Sequence, residues 1–214
     1  MRNKIIIVFC VVALSLFFVN PGFAEKPDKD FGIGARISFT SPSDDTVQGI
    51  KFDPDESIFF EGMIQYLAND WFSMECSIGY TKRDVDAVAF GIPLDFGELE
   101  QIPILLTGRL HYWFPNSKTT LYGGAGVGLY INDFELSGLF KSAIPGADVD
   151  ADNSFGFHLN AGVEFFVTDN IALDLDAKYI WNKADFDFKD PSGIETEEID
   201  LNGFVVGFSF KYFF

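Results

Sequence analysis

The residues able to carry chemistry stand singly between apolar neighbours: Arg36, Glu61, Glu75, Arg109, Glu164, Asp174, Asp176, Lys178 and Lys211, with the two histidines, His111 and His158. Two chemistries suit such groups. An isolated carboxylate or imidazole beside a nucleophile can act as a general base. Charges of both signs gathered in one interior instead pair with one another. Four cations set among five carboxylates favour pairing, and no catalytic residue is expected. Two other runs invite sharper readings that their spacing rejects. Gly124-Ala125-Gly126-Val127-Gly128 lacks the helix pattern that must follow a dinucleotide fingerprint. Asp148-Val149-Asp150-Ala151-Asp152 opens like a calcium loop, but the sixth position is Asn153 and the twelfth is Leu159, where glycine and glutamate are needed.

The elements that must position these charges repeat with period two. Eight segments alternate apolar and polar residues: 31–40, 57–67, 71–81, 101–114, 120–131, 155–167, 171–182 and 204–214. Each is near the length of about 9 to 11 residues that a tilted membrane strand needs. In the sixth, Phe155, Phe157, Leu159, Ala161, Val163, Phe165 and Val167 oppose Gly156, His158, Asn160, Gly162 and Glu164. A soluble sandwich would have to desolvate every inward charge, which is costly. The pattern therefore predicts an all-β chain, an eight-stranded antiparallel transmembrane β-barrel with apolar residues on lipid and charges in the lumen. Its connections alternate too. Residues 68–70, 115–118 and 168–170 read as tight periplasmic turns, and 41–56, 82–100, 132–154 and 183–200 as long outer loops, so both termini are expected in the periplasm.

Residues 1–24 read as a secretory signal peptide: Arg2 and Lys4, then an apolar run from Ile5 to Val19, then Gly22-Phe23-Ala24. The run has 15 residues, too few for a helical span of about 20. The barrel then occupies residues 25–214 in the cell outer membrane. Once Cys10 leaves with the signal, Cys76 stands alone and no intrachain disulfide forms. A net charge of −17 argues against nucleic acid as a partner. Twenty-six phenylalanines suit lipid-facing strands and interfacial girdles.

Sorted by strand direction, the inward residues divide into two levels. Phe59, Pro103, Leu105, Tyr130, Ile180 and Val205 fall toward the outside, and Glu75, Arg109, His111, Glu164, Asp174 and Lys211 toward the periplasm, where Arg36, Glu75, Arg109, Glu164, Asp174 and Lys178 are expected to form a charged plug. An apolar pocket of Phe59, Leu105, Tyr130, Ile180 and Val205 is thus expected above a charged plug, open to small hydrophobic solutes. The competing expectation is a sealed structural or adhesive barrel whose apolar residues merely fill an interior that eight strands leave narrow. Other expected partners are outer-membrane lipid and lipopolysaccharide. The loops hold 22 of the 32 acidic residues, which could bridge divalent cations to lipopolysaccharide, although solvated loop faces are the plainer reading. Neither a bound metal nor a cofactor is expected.

Ile102-Pro103-Ile104-Leu105-Leu106, His111-Tyr112-Trp113-Phe114 and Leu121-Tyr122-Gly123-Gly124-Ala125-Gly126-Val127-Gly128 together resemble the central hairpin of the OmpW family. Ala161-Gly162-Val163 and Leu173-Asp174-Leu175-Asp176-Ala177-Lys178-Tyr179 continue the likeness, which covers roughly the last 115 residues. The resemblance implies an eight-stranded barrel with a hydrophobic lumen that passes small apolar compounds. The ending Phe210-Lys211-Tyr212-Phe213-Phe214 looks like a signal for the barrel-assembly machinery, read through Phe210, Tyr212 and Phe214. His158-Leu159-Asn160 is similar to the His-x-Ser motif of PagL-type lipid A deacylases, but Asn160 stands where the nucleophile belongs, and His158 has inward parity.

Overall fold

In the computed structural model, which describes residues 29–47, 50–89, 92–115, 117–190 and 193–214, the eight alternating segments all become strands of one closed ring. The segment read as a signal peptide lies outside the described residues. The ring runs β1 (Phe31–Pro42), β4 (Ser57–Leu67), β5 (Phe72–Ala89), β6 (Ile92–Trp113), β7 (Thr119–Leu136), β9 (Ser154–Phe166), β10 (Ile171–Asp190) and β12 (Gly203–Phe213). Neighbours are antiparallel throughout. It closes where β12 pairs β1, from Gly32 opposite Phe213 to Pro42 opposite Gly203.

Alternation decides which face each residue takes. Along β4 the inward Phe59, Glu61, Met63 and Gln65 are buried, while Ile58, Phe60, Ile64 and Tyr66 are exposed. Such a row of exposed apolar residues would be a liability in water and is the expected face toward lipid. No helix among the described residues is long and apolar enough to cross a membrane. Cys76 is a free, exposed thiol on that outer face.

The short connections are pinned by their own side chains. Asn69 Oδ1 accepts from the backbone N–H of Trp71 and Phe72 at 3.0 and 2.9 Å, and Thr168 Oγ1 accepts from those of Asn170 and Ile171 at 3.2 and 3.0 Å. Asn170 Nδ2 also donates to Phe213 O at 2.8 Å, tying the end of β12 to this turn.

The opposite end differs from the expected loops. β5, β6, β7 and β10 continue far past the lipid-facing segments, joined by β2 (Asp45–Val47), β3 (Ile50–Pro54), β8 (Asp148–Ala151) and β11 (Gly193–Asp200). β3 pairs β5, while β8 and β11 pair β10. The sole helix described, α1 (Gly138–Ala143), sits between β7 and β8. These extensions enclose an apolar core of Phe52, Val85, Ala87, Phe96, Leu99, Phe134, Leu136, Val149, Ala184, Phe186, Ile199 and Leu201. The acidic residues are the other face of the same strands. Asp84 and Asp86 flank Val85, Asp133 and Glu135 flank Phe134, and Asp185 and Asp187 flank Phe186.

Candidate functional site

The lumen is layered. At the end with the short turns Leu67, Phe166, Ala172 and Phe213 pack together with Trp113 against them, closing the floor. Above it sits the charged plug. Arg36 lies 3.4 Å from Glu61, 3.2 Å from Glu75 and 3.9 Å from Asp174. Arg109 pairs with Glu75 and stacks over the Tyr122 ring at 4.6 Å. Lys211 reaches Asp174 at 3.0 Å, Glu164 at 3.2 Å and Glu75 at 3.8 Å, and Lys178 lies 3.4 Å from Glu61. Asp176 accepts from the Tyr122 hydroxyl and from Asn160 Nδ2, each at 2.7 Å. The ion-paired side chains here are at most 1 % exposed, so each charge depends on its partners rather than on solvent. The residues expected in the plug are thus brought together, with Glu61, Asp176 and Lys211, which the sequence also set among the pairing charges.

The two histidines belong to this interior. His158 Nε2 is 2.8 Å from Thr107 Oγ1, and His111 Nε2 is 2.7 Å from Ser73 Oγ. His158 and Asn160 are buried in the lumen, away from the lipid face where an enzyme acting on lipid A would present its base.

Above the plug lies a cavity of about 30 Å³. Phe59, Tyr130, Ile180 and Val205 line it with Pro103 and Leu201, and Thr40, Thr81, Arg83, Gln101 and Asn182 supply polar edges. The fifth expected pocket residue, Leu105, is buried one inward position nearer the plug. A Cβ placed at Gly128 would stand 2.6 Å from Leu105 Cδ2 and 2.9 Å from the Tyr130 ring, so glycine there makes room for both side chains. Arg83 lies beyond the third segment, which ends at position 81, while Gln101 and Asn182 stand at the terminal positions of the fourth and seventh. The alternation that places Glu75 inward reaches Arg83 when it is continued past that end.

Beside the cavity the β5–β6 ladder lapses for two residue pairs without changing register. Pairing between β5 and β6 runs through Ile78 opposite Ile104 and resumes at Thr81 opposite Gln101. The gap faces Pro103, which has no N–H to give to a ladder. On its other side β6 pairs β7 without interruption through Pro103 opposite Tyr130. A second irregularity lies higher, where the register shifts between Val85 and Asp86. The extra residue is Phe96, which turns inward and packs 5.3 Å from Phe52, 5.4 Å from Phe134 and 5.2 Å from Phe140. These rings roof a smaller apolar cavity of about 20 Å³, which shares Leu201 with the lower one.

Comparison with known proteins accords with this geometry. A family model described as an outer membrane protein beta-barrel domain matches residues 9–212. The chain belongs to that family. An uncharacterised outer-membrane protein of Sinorhizobium fredii, y4mB, is 29% identical over 167 residues, 75% of this chain and 68% of that one. Among solved structures, OprG of Pseudomonas aeruginosa superimposes with a TM-score of 0.77 at 19% identity, covering 87% of this chain and 96% of OprG. OmpW of E. coli superimposes with a TM-score of 0.53 at 18% identity, over 87% and 98% of the two chains. The barrel is therefore an outer-membrane protein with the fold of OprG and OmpW. Among its described residues, no group of three or more His, Cys, Asp or Glu side chains is placed to hold a metal ion.

Proposed function

We propose that this outer-membrane barrel receives small hydrophobic molecules from its outer end and releases them sideways into the bilayer between β5 and β6. One observation carries the reading: Phe59, Pro103, Tyr130, Ile180 and Val205 line a single cavity directly above a plug of paired charges. An apolar solute reaching the plug would have to displace desolvated ion pairs to continue along the axis. The lapse in the ladder at Pro103 offers a shorter way out, in the wall of the same cavity. A space of about 30 Å³ holds a water or two and no solute, so uptake requires side chains such as Leu201, in the two-residue link between β11 and β12, to move aside.

The test is uptake of an apolar fluorescent solute by liposomes carrying the refolded barrel. Ile180→Asp puts a charge in the cavity wall, and Leu105→Asp puts one beneath it. Loss of uptake with strand content intact supports the pocket. Unchanged uptake in both variants sinks it.

A second reading, a sealed structural or adhesive barrel, draws on the small size of both cavities and on the aromatic roof around Phe96. It requires that the wild type show no uptake above empty liposomes. Two further assignments go with either reading. Both termini lie in the periplasm, at the end with short turns and the aromatic floor. Phe210, Tyr212 and Phe214, each about half exposed on the outer face of the closing strand, serve recognition by the assembly machinery. Deletion of Phe214 then lowers surface-inserted barrel in cells, and normal insertion would reject that role.

A further inference from the structure

The four cations of the plug share five carboxylates, but the inward cation above them has none. Among the described residues, no carboxylate stands within ion-pairing distance of Arg83, whose Nη2 donates to Gln101 Oε1. That amide begins a neutral relay. Gln101 Nε2 donates to Asn132 Oδ1 at 2.8 Å, and Asn132 Nδ2 donates to Asp152 O at 2.7 Å and Ser154 Oγ at 3.1 Å. The belt therefore holds a guanidinium and no counter-charge, an arrangement that burial penalises.

Three buried polar atoms at this level have no hydrogen-bond partner: Arg83 Nε, the Tyr130 hydroxyl and Asn182 Oδ1. All three residues line the same cavity. Tyr130 and Asn182 are 3% and 2% exposed, so bulk water does not serve them. The rest of the wall is apolar, and across Leu201 lies the upper cavity, bounded by Val85, Phe96, Leu99, Phe134 and Phe186. Polar donors at one level and an apolar space above define a ligand with one head and one greasy body. A cation and a phenol that both donate select a head that accepts.

The geometry points to a monocarboxylate with an aliphatic or aromatic body as the ligand of this cavity, its carboxylate on Arg83 and Tyr130 and its body extending past Leu201 toward the Phe96 cluster. The Asn182 amide, which can turn either end toward the head, completes the site. This rests on the reading that the cavity receives small hydrophobic molecules and names the class it prefers. A neutral hydrocarbon would leave Arg83 Nε and the phenol without a partner, and a cationic amphiphile would meet like charge.

Hexanoate and 1-hexanol, equal in chain length and soluble in water, separate head from body. Each is titrated calorimetrically into the full barrel in zwitterionic lipid nanodiscs, with empty nanodiscs as the baseline. Hexanoate is expected to bind about tenfold more tightly than hexanol near pH 7, the scale of one charge-assisted hydrogen bond. Arg83→Met should abolish that preference while hexanol still binds, which also reports an intact cavity. Arg83→Gln, which keeps a polar head, guards against a packing effect and should abolish it as well. Acidification to about pH 4, where carboxyl groups of this kind take up a proton, should narrow the preference in the wild type. Equal binding of the two probes by the wild type, or a preference that survives both Arg83 variants, overturns the carboxylate assignment and leaves the hydrophobic pocket standing. Binding of neither probe overturns the pocket itself, and this inference with it.

Discussion

At the scale of single residues the plug is a problem in charge balance. Four cations and five carboxylates leave the network one negative charge in excess, and each member has been taken out of water at a cost its partners must offset. Arg109 is fully buried, pairs with Glu75 and lies 4.0 Å from Asp174. Arg109→Met leaves Glu75 to Arg36 and Lys211 and widens the charge imbalance by one, and it should cost about 3 kcal/mol, read as a lower urea midpoint of the refolded barrel. Adding Glu75→Gln restores the original balance, so the double variant should recover a good part of the loss. A double variant that is worse by the plain sum would show that the two groups do not act as a pair. Membership of this network was legible in the sequence because alternation fixes parity, and parity sends each charge inward. The partners were not legible. Which cation meets which carboxylate depends on stagger between strands far apart in the chain, as when Lys211 of β12 meets Glu164 of β9 at 3.2 Å.

At the scale of the element, two departures from regular pairing shape the outer half. Proline at 103 leaves the ladder open opposite Gly79 and Tyr80, beside the cavity. Pro103→Val supplies the missing N–H and should stabilise the barrel by about 0.5–1.5 kcal/mol, the net worth of one such bond, while slowing solute release. Faster or unchanged uptake in that variant would place the exit elsewhere. The bulge that turns Phe96 inward was invisible to a period-two reading, because it consists in breaking that period. The extension of β5, β6, β7 and β10 was missed for another reason. Acidic residues every second position look like loop until their alternate neighbours Val85, Phe134, Ala184 and Phe186 are recognised as the facing core. That acidity also makes the outer sheet sensitive to pH. The Asp86 carboxyl is held above its ordinary value by partial burial and then by Asp55, Asp95, Asp53 and Asp84. A raised value means that the folded hairpin holds this proton more tightly than the unfolded one. Its ionisation therefore opposes folding, and the outer end of β5 should loosen as pH rises from about 4 through the raised value. Amide exchange at residues 85–88 should accelerate over that window, and Asp86→Asn should flatten the change.

At the scale of the whole molecule, the order of the layers sets what can cross and by which way. An ion travelling the axis meets an aromatic roof, a cavity with room for a water or two, a buried ion-pair network and an apolar floor of Leu67, Phe166 and Phe213. None of these layers offers a continuous wet path, and side chains fill the interior of an eight-stranded ring. The refolded barrel should therefore be silent to salt in a planar bilayer even if it passes apolar solutes, because their route leaves the axis above the plug. Silence alone then does not distinguish a lateral conduit from a sealed barrel. The decisive comparison pairs conductance with liposome uptake on the same preparation. Uptake without conductance fits release through the wall at Pro103, and neither signal fits the sealed barrel. Discrete ionic openings would mean that the plug and floor move together, against the packing of Phe213 and Lys211, both within 1% of complete burial on the same closing strand.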